Sequence, residues 1–463
     1  MINFLHQKKY NKEITNKNFK FLGLDFHFPV FFISSSLTIF FSVLVLVYPE
    51  LSNKILSDVR NFTLSWFDTF FSISMTAFTL IVLFLIVSPF GKIKLGDKDT
   101  VPEFGFLSWL CMLFAAGVGI GMTFYGAAEP LSYYTGVFGT PLDVTPKTQE
   151  AYQLAFSATI FHWGISAWSV YAIIGLSLAF FCYKWKLPLT IRSIFYPLLG
   201  NKTWGWQGDL IDIIAVLATL FGLATSLGLG AQQASSGLFY IFNLPNNALT
   251  QSLVIIFITF VTIFSVFRGL DKGVRVLSNT NIGLALALLV SVVIAGPTIQ
   301  ILLAYGKNLI FYFEDIIRLS SLNRSDDLQW YHDWTIFYWA WWISWSPFVG
   351  MFIARVSRGR TVREFVFCVV VIPMMVGIIW MGAFGGTAVS QVMADAAAPV
   401  KDASLELKLF VMLEQLPLSA ITSLLGIVLV LCFFITSSDS GSLVIDTITS
   451  GGKTDAPVSQ RIF

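Results

Sequence analysis

Ten apolar runs, each about twenty residues or longer, lie near 28–48, 69–89, 104–127, 152–183, 209–235, 249–267, 279–305, 334–356, 364–390 and 417–447. A helix of about twenty apolar residues crosses about 30 Å of hydrocarbon. Backbone inside lipid must satisfy its own hydrogen bonds, so the pattern predicts an all-α polytopic membrane protein. Two runs depart from plain apolar filling. The stretch WTIFYWAWWISWSPFVGMFIARVSRGRT, 334–361, holds five of the fourteen tryptophans. At about 100° per residue, Trp341, Trp345, Phe348 and Phe352 share a narrow arc of one helix, with Tyr338 and Trp342 on its flanks. The second is AAGVGIG, 115–121, where three alternate glycines each weaken a helix by roughly 1 kcal/mol relative to Ala.

Charge orients these spans. The N-terminal tail, the connections after even-numbered spans and the C-terminal end carry 21 of the 29 Lys and Arg residues, including Arg355, Arg358, Arg360 and Arg363. The positive-inside rule places these segments, and both ends of the chain, in the cytoplasm. The N-terminal 1–27 segment has no short apolar core followed by a cleavage site and reads as a short cytoplasmic tail. Two connections on the other side have patterns of their own. Asn308–Leu319 has one apolar face and suits a helix lying along the membrane surface, and a second element near Leu405–Leu416 reads as an outer lid; either could equally be a packing device.

Composition sharpens the class. The chain is 56% hydrophobic and 12% charged with a mean hydropathy of +0.74, far from soluble composition. It has no basic tract suited to nucleic acid. Cys111, Cys182, Cys368 and Cys432 have no metal-like spacing and read as small buried hydrophobes. Four His, no His/Glu or His/Asp metal spacing and no nucleophile elbow leave an enzyme little machinery, so none is expected and no cofactor is implied.

Each unusual stretch has a plain and a sharper interpretation. Aromatic faces serve lipid contact or helix packing, but interfacial belts put Trp near span ends. Trp341, Trp342 and Trp345 lie well inside, where an indole N–H has no lipid partner. Stacked indoles in a cavity would hold a quaternary ammonium, a cation that donates no hydrogen bonds. Glycine-rich helices pack closely, or they mark the discontinuous helices that form transporter sites. In FHWGISAWSVY, Trp163, Trp168 and Tyr171 spread over about 140° of helix, a partly enclosing wall or ordinary packing; His162 beside them reads as a hydrogen-bonded structural residue. The hydroxyls of FFITSSDS, 433–440, could bond to their own helix or serve as uncharged oxygen ligands for a sodium ion.

The Trp-rich stretch and the Arg-rich loop after it resemble the signature of the betaine/carnitine/choline transporters. Further motifs in register support the resemblance from about Pro102 to Gly452: GVGIGMTFYGAAEPLSYY, FHWGISAWSVYAIIGLSLAF, LPLTIRSIFYPLLG, ATLFGLATSLGLGAQ and FFITSSDSGSLVIDTITSGG. The resemblance implies twelve spans, the third to seventh repeated in inverted topology by the eighth to twelfth. This chain would be truncated after ten transmembrane helices, its second repeat incomplete. The implied organisation is a tail at 1–27, two peripheral helices at 28–101, a first inverted repeat at 102–305, an outer connection at 306–333 and the incomplete second repeat at 334–463.

By the same resemblance, Trp163, Trp168, Tyr171 and Trp342 match an aromatic cage, Trp341, Trp345 and Phe348 an aromatic path, and Gly117, Gly119 and Gly121 the substrate-site backbone of an unwound helix. Thr436 and Ser437, with carbonyls of Ala115, Val118 and Phe433, match a sodium site. A second sodium site in some members uses two hydroxyls a turn apart; here Thr219 is present but Leu223 takes the next position. Choline carriers of the family tend to have an Asp at the place of Gly121, so a zwitterion such as glycine betaine is the expected substrate. The implied protein is a sodium-coupled homotrimeric importer in a bacterial plasma membrane, surrounded by lipid. Alternatives are a sodium-independent carnitine or choline exchanger, a proton-coupled choline carrier, and a non-transporting sensor or channel.

Overall fold

The structure, a computed structural model, describes residues 18–21, 23–117, 119–269, 275–454 and 456–462. Among them eight helices are long and apolar enough to cross a membrane: Phe28–Val47, Asp68–Val87, Gln149–Lys184, Trp206–Phe242, Ala248–Phe267, Val276–Ala295, Val362–Ala394 and Ser419–Thr449. The protein is therefore an all-α multi-pass membrane protein, and these correspond to eight of the ten expected spans. The two others are the third and the eighth. The third runs as Phe106–Gly117 and Gly119–Thr135 on either side of Val118, which lies outside the described residues. The eighth is the twenty-residue helix Phe337–Val356, whose Trp, Tyr and Ser content keeps its mean hydropathy low.

Several boundaries move for physical reasons. The third span continues past 127 to Thr135, because Glu129 and Pro130 interrupt the apolar run although both are buried. The fifth continues past 235 to Phe242, its polar residues satisfied inside the protein: Gln233 Nε2 donates to the Thr123 carbonyl at 3.0 Å and Ser235 Oγ to Asn246 Oδ1 at 2.9 Å. Within the fourth span the helix breaks at Gly164, between Gln149–Trp163 and Ile165–Ala179. A Cβ there would come 2.4 Å from the Ile160 carbonyl oxygen.

Outside the spans, Pro49–Trp66 is a helix where hydropathy suggested only a connection; its apolar residues are spaced by polar ones and never form a run. The expected surface helix is longer than 308–319, extending over Thr298–Leu319, and the expected lid contains the short helix Lys408–Glu414. Lys408 in that helix is buried and donates to the carbonyls of Val400 and Lys401 at 3.1 and 3.0 Å. Burial pulls its ammonium down to about 8, against an opposing pull from Asp402. In the N-terminal segment, residues 1–17 lie outside the described residues, and the remainder forms an antiparallel hairpin, Asn18–Phe21 with Leu24–His27. Lys453 Nζ reaches Asp25 at 2.6 Å and Asn18 Nδ2 the Ser450 carbonyl at 3.1 Å, so this part of the segment is docked on the chain's other end.

Small residues set the inter-helix distances around the centre. A Cβ on Gly350 of the eighth span would fall 3.1 Å from the backbone nitrogen of Gly175 in the fourth. One on Gly126 of the third would fall 2.7 Å from Trp380 Nε1 of the ninth, an indole that donates to the Met122 carbonyl at 2.9 Å. Close backbone approach of this kind substitutes for the hydrophobic drive that lipid cannot supply between helices.

Candidate binding site

The break at Gly164 ends one helical segment on Trp163 and starts another that carries Trp168 and Tyr171 one and two turns later. The eighth span lies alongside, and Trp342 Nε1 donates to the carbonyl of His162 at 2.9 Å. Four rings then meet at a succession of corners. Trp163 and Trp342 are 5.0 Å apart at 71°, Trp342 and Tyr171 6.3 Å at 76°, and Tyr171 and Trp168 5.6 Å at 81°. Rings meeting nearly at right angles can serve as adjacent walls of a box, whose faces carry the negative quadrupole that attracts a cation. The narrow cavity they line is also bordered by Met122, Ala167, Pro373 and Gly377. The Tyr171 hydroxyl is buried with no hydrogen-bond partner among the described residues.

The other expected aromatic residues take different places. Trp341 stacks on Trp342 at 4.9 Å and 17°, extending one wall. Trp345 and Phe348 form their own perpendicular pair at 5.3 Å. A Cβ on Gly222 of the fifth span would touch Trp345 at 3.0 Å, so this pair sits beyond the box. Of the glycines, Gly121 packs directly on one wall: a Cβ on it would lie 2.6 Å from Trp163 Cη2. Gly117 and Gly119 are both helical and flank Val118 in the third span.

Gly119 also meets the tenth span, since a Cβ there would lie 3.5 Å from Ser437 Oγ and 3.9 Å from Phe433 Cβ. Three of the expected ion-site residues, Phe433, Thr436 and Ser437, are buried together on one helix. Thr436 Oγ1 donates to the Cys432 carbonyl at 2.8 Å and accepts from Asn281 Nδ2 at 2.7 Å, which leaves one lone pair on that oxygen. Ala115 belongs to the helix Phe106–Gly117, and Val118 is outside the described residues. In the fifth span, Thr219 donates to the Ala215 carbonyl at 2.8 Å. Leu223 packs so tightly on Gly441 that a Cβ there would come within 2.2 Å of it.

One residue that sequence reasoning passed over is Glu129, which is fully buried and bonded to Trp163 Nε1 at 2.6 Å. An acidic residue inside a membrane span was the signal that could have found it. His162 fits the structural role expected of it, with Nδ1 on Glu129 at 2.9 Å and Nε2 on Thr335 Oγ1 at 3.0 Å.

Comparison with known proteins bears on this arrangement. A family model described as betaine/carnitine/choline family transporter matches residues 29–463. A glycine betaine/proline/choline/ectoine transporter of Vibrio parahaemolyticus is 50% identical, over 98% of this chain and 82% of its own length. A glycine betaine transporter of the same organism is 51% identical, over 95% of this chain and 85% of its own, and a glycine betaine transporter of Bacillus subtilis is 42% identical, over 90% and 81%.

Proposed function

The chain belongs to the betaine/carnitine/choline family of transporters, and from that premise we propose that it is a sodium-coupled importer of a quaternary ammonium osmolyte, glycine betaine in the first place, working by alternating access. As a member of this family it is a transporter and not an enzyme. The observation that carries the substrate is the box of Trp163, Trp342, Tyr171 and Trp168. A trimethylammonium group donates no hydrogen bonds, and desolvated ring faces hold it with about 2 kcal/mol or more. The relatives named for glycine betaine fit the same chemistry. Trp341, Trp345 and Phe348 continue the aromatic surface as a path, and Gly117, Gly119 and Gly121 supply backbone for the carboxylate end.

The zwitterion is preferred because no carboxylate stands at position 121. Gly121→Asp is expected to weaken glycine betaine binding by about tenfold, since its Cβ must displace Trp163 and its charge repels the substrate's own carboxylate. Choline, which lacks that carboxylate, should lose less. Parallel titrations with the two ligands decide this, and an unchanged preference would show that residue 121 does not select between them.

Sodium is proposed to bind between the third and tenth spans, with Thr436, Ser437 and carbonyls of Ala115, Val118 and Phe433 as ligands. A potential of about 100 mV acting on one net charge provides roughly 2.3 kcal/mol, enough for about a fiftyfold gradient. One ion therefore sustains useful accumulation, and the hydrocarbon of Leu223 against Gly441 argues for only one. Ser437→Ala is expected to raise the sodium concentration for half-maximal uptake about fivefold, the loss of roughly 1 kcal/mol from one oxygen ligand. Thr436→Ala should do the same, but it also unpairs Asn281, so Thr436→Ser is its control. Uptake into proteoliposomes, titrated with sodium against potassium, should give a Hill coefficient near one; vigorous uptake in potassium alone would remove sodium coupling. In this proposal the protein sits as a homotrimer in a bacterial plasma membrane with its N-terminus in the cytoplasm.

A further inference from the structure

The side chain of Glu129 is fully buried in the helix Gly119–Thr135, inside the third span. His162 Nδ1 at 2.9 Å and Tyr133 Oη at 3.0 Å converge on its Oε1. Trp163 Nε1 and Tyr338 Oη, both at 2.6 Å, converge on its Oε2. The Trp163 indole can only donate, so Oε2 accepts from it, and both phenols have hydrogens to offer the carboxyl oxygens they touch. His162 completes the set if Glu129 is ionised: a neutral ring with its hydrogen on Nδ1 would donate to the carboxylate and leave Nε2 to accept from the Thr335 hydroxyl, 3.0 Å away. The arrangement suits the ionised, acceptor-only form. Among the described residues no Lys or Arg forms an ion pair with it; its one such partner is His162. In that form Glu129 would be held by hydrogen bonds alone where a charge is costly to bury.

Two of the donors reach the aromatic box. Trp163 is itself a wall, and its N–H bond to a carboxylate is charge-assisted and short. That bond fixes the indole in its plane and polarises it so that the ring face grows more negative. Tyr338 stacks on the adjacent wall, Trp342, at 5.5 Å and 23°. We propose that Glu129 is the positioning residue and the electrostatic complement of the box: acting through Trp163, it supplies the anion of a pair that a quaternary ammonium completes on entry. The proposal rests on the quaternary ammonium reading and adds the source of its charge selectivity.

Charge and shape can be separated with two ligands of one shape. Glycine betaine and 3,3-dimethylbutyrate differ only in having nitrogen or carbon at the centre of the trimethyl group, so their affinity ratio reports the positive charge. Calorimetric titration of the purified full chain in sodium is expected to show a strong betaine preference, and Glu129→Gln, which keeps an acceptor oxygen but loses the charge, should shrink that ratio at least tenfold. A merely structural role would weaken both ligands by a common factor, and that result, or an unchanged ratio, overturns the proposal. Should Glu129→Gln fail to fold, Trp163→Phe keeps a ring wall and breaks the N–H link, and its ratio should fall several-fold; an unchanged ratio there also overturns it. A native protein with no preference for betaine over its carbon analogue would instead sink the quaternary ammonium reading, and this proposal with it.

Discussion

Arg192→Ala is expected to destabilise the protein by about 3–5 kcal/mol, the cost of leaving one half of a buried ion pair unmatched. Arg192 and Asp212 are 1% and 0% exposed. The guanidinium Nε lies 2.5 Å from Asp212 Oδ2 and Nη1 2.8 Å from Asp209 Oδ1. Asp212 also accepts the Arg192 backbone N–H at 2.9 Å and the Thr190 hydroxyl, while Asp209 bonds to His27 Nε2 at 2.8 Å. Burial by itself would lower the guanidinium's proton affinity; Asp212 and Asp209 outweigh it and raise it. One arginine thus joins the connection after the fourth span to the start of the fifth, and through Asp209 to the N-terminal hairpin. Thermal unfolding in detergent should show a large drop for Arg192→Ala and substantial recovery for Arg192→Met combined with Asp212→Leu, which removes both charges and refills the volume. Equal stability of Arg192→Ala and the native protein would show that the pair contributes nothing.

Trp342→Leu is expected to weaken glycine betaine binding by about 2–3 kcal/mol, roughly 30- to 150-fold in Kd. Trp342 is the ring common to two corners of the box, touching Trp163 and Tyr171, and Trp341 stacks on it. Leucine removes the negative ring face and leaves the His162 carbonyl without the indole donor. Trp345→Leu is the contrast: its ring packs on Phe348 and Gly222 beyond the box, so its effect should fall on transport rate more than on affinity. Calorimetry on both variants checks the pair of expectations, and native affinity in Trp342→Leu would remove the box from the account.

Much of this arrangement was legible in the chain because the membrane simplifies the reading. Lipid demands long apolar helices, and eight spans follow from hydropathy alone. The third and eighth were legible through their glycine and tryptophan content, the feature that sets them apart from plain lipid-facing helices. Pro49–Trp66 escaped because its apolar residues alternate with polar ones and form no continuous run. The break at Gly164 escaped because one glycine within an apolar run looks like packing; its consequence appears only once Trp342 reaches the His162 carbonyl. Glu129 was hidden for a related reason. Its four donors come from the third, fourth and eighth spans, and no periodicity within one helix reveals partners on two others.

Counterflow tests most directly whether this protein carries a quaternary ammonium compound across a membrane in an aromatic box. Proteoliposomes holding the purified protein are loaded with unlabelled glycine betaine and diluted into sodium buffer containing a trace of labelled glycine betaine. A carrier must exchange one molecule for another, so the label should rise transiently above its outside concentration and then decay, and Trp342→Leu should flatten that overshoot. Label that only equilibrates, or that ignores the internal load, would contradict the account and leave a channel or a non-transporting sensor in its place.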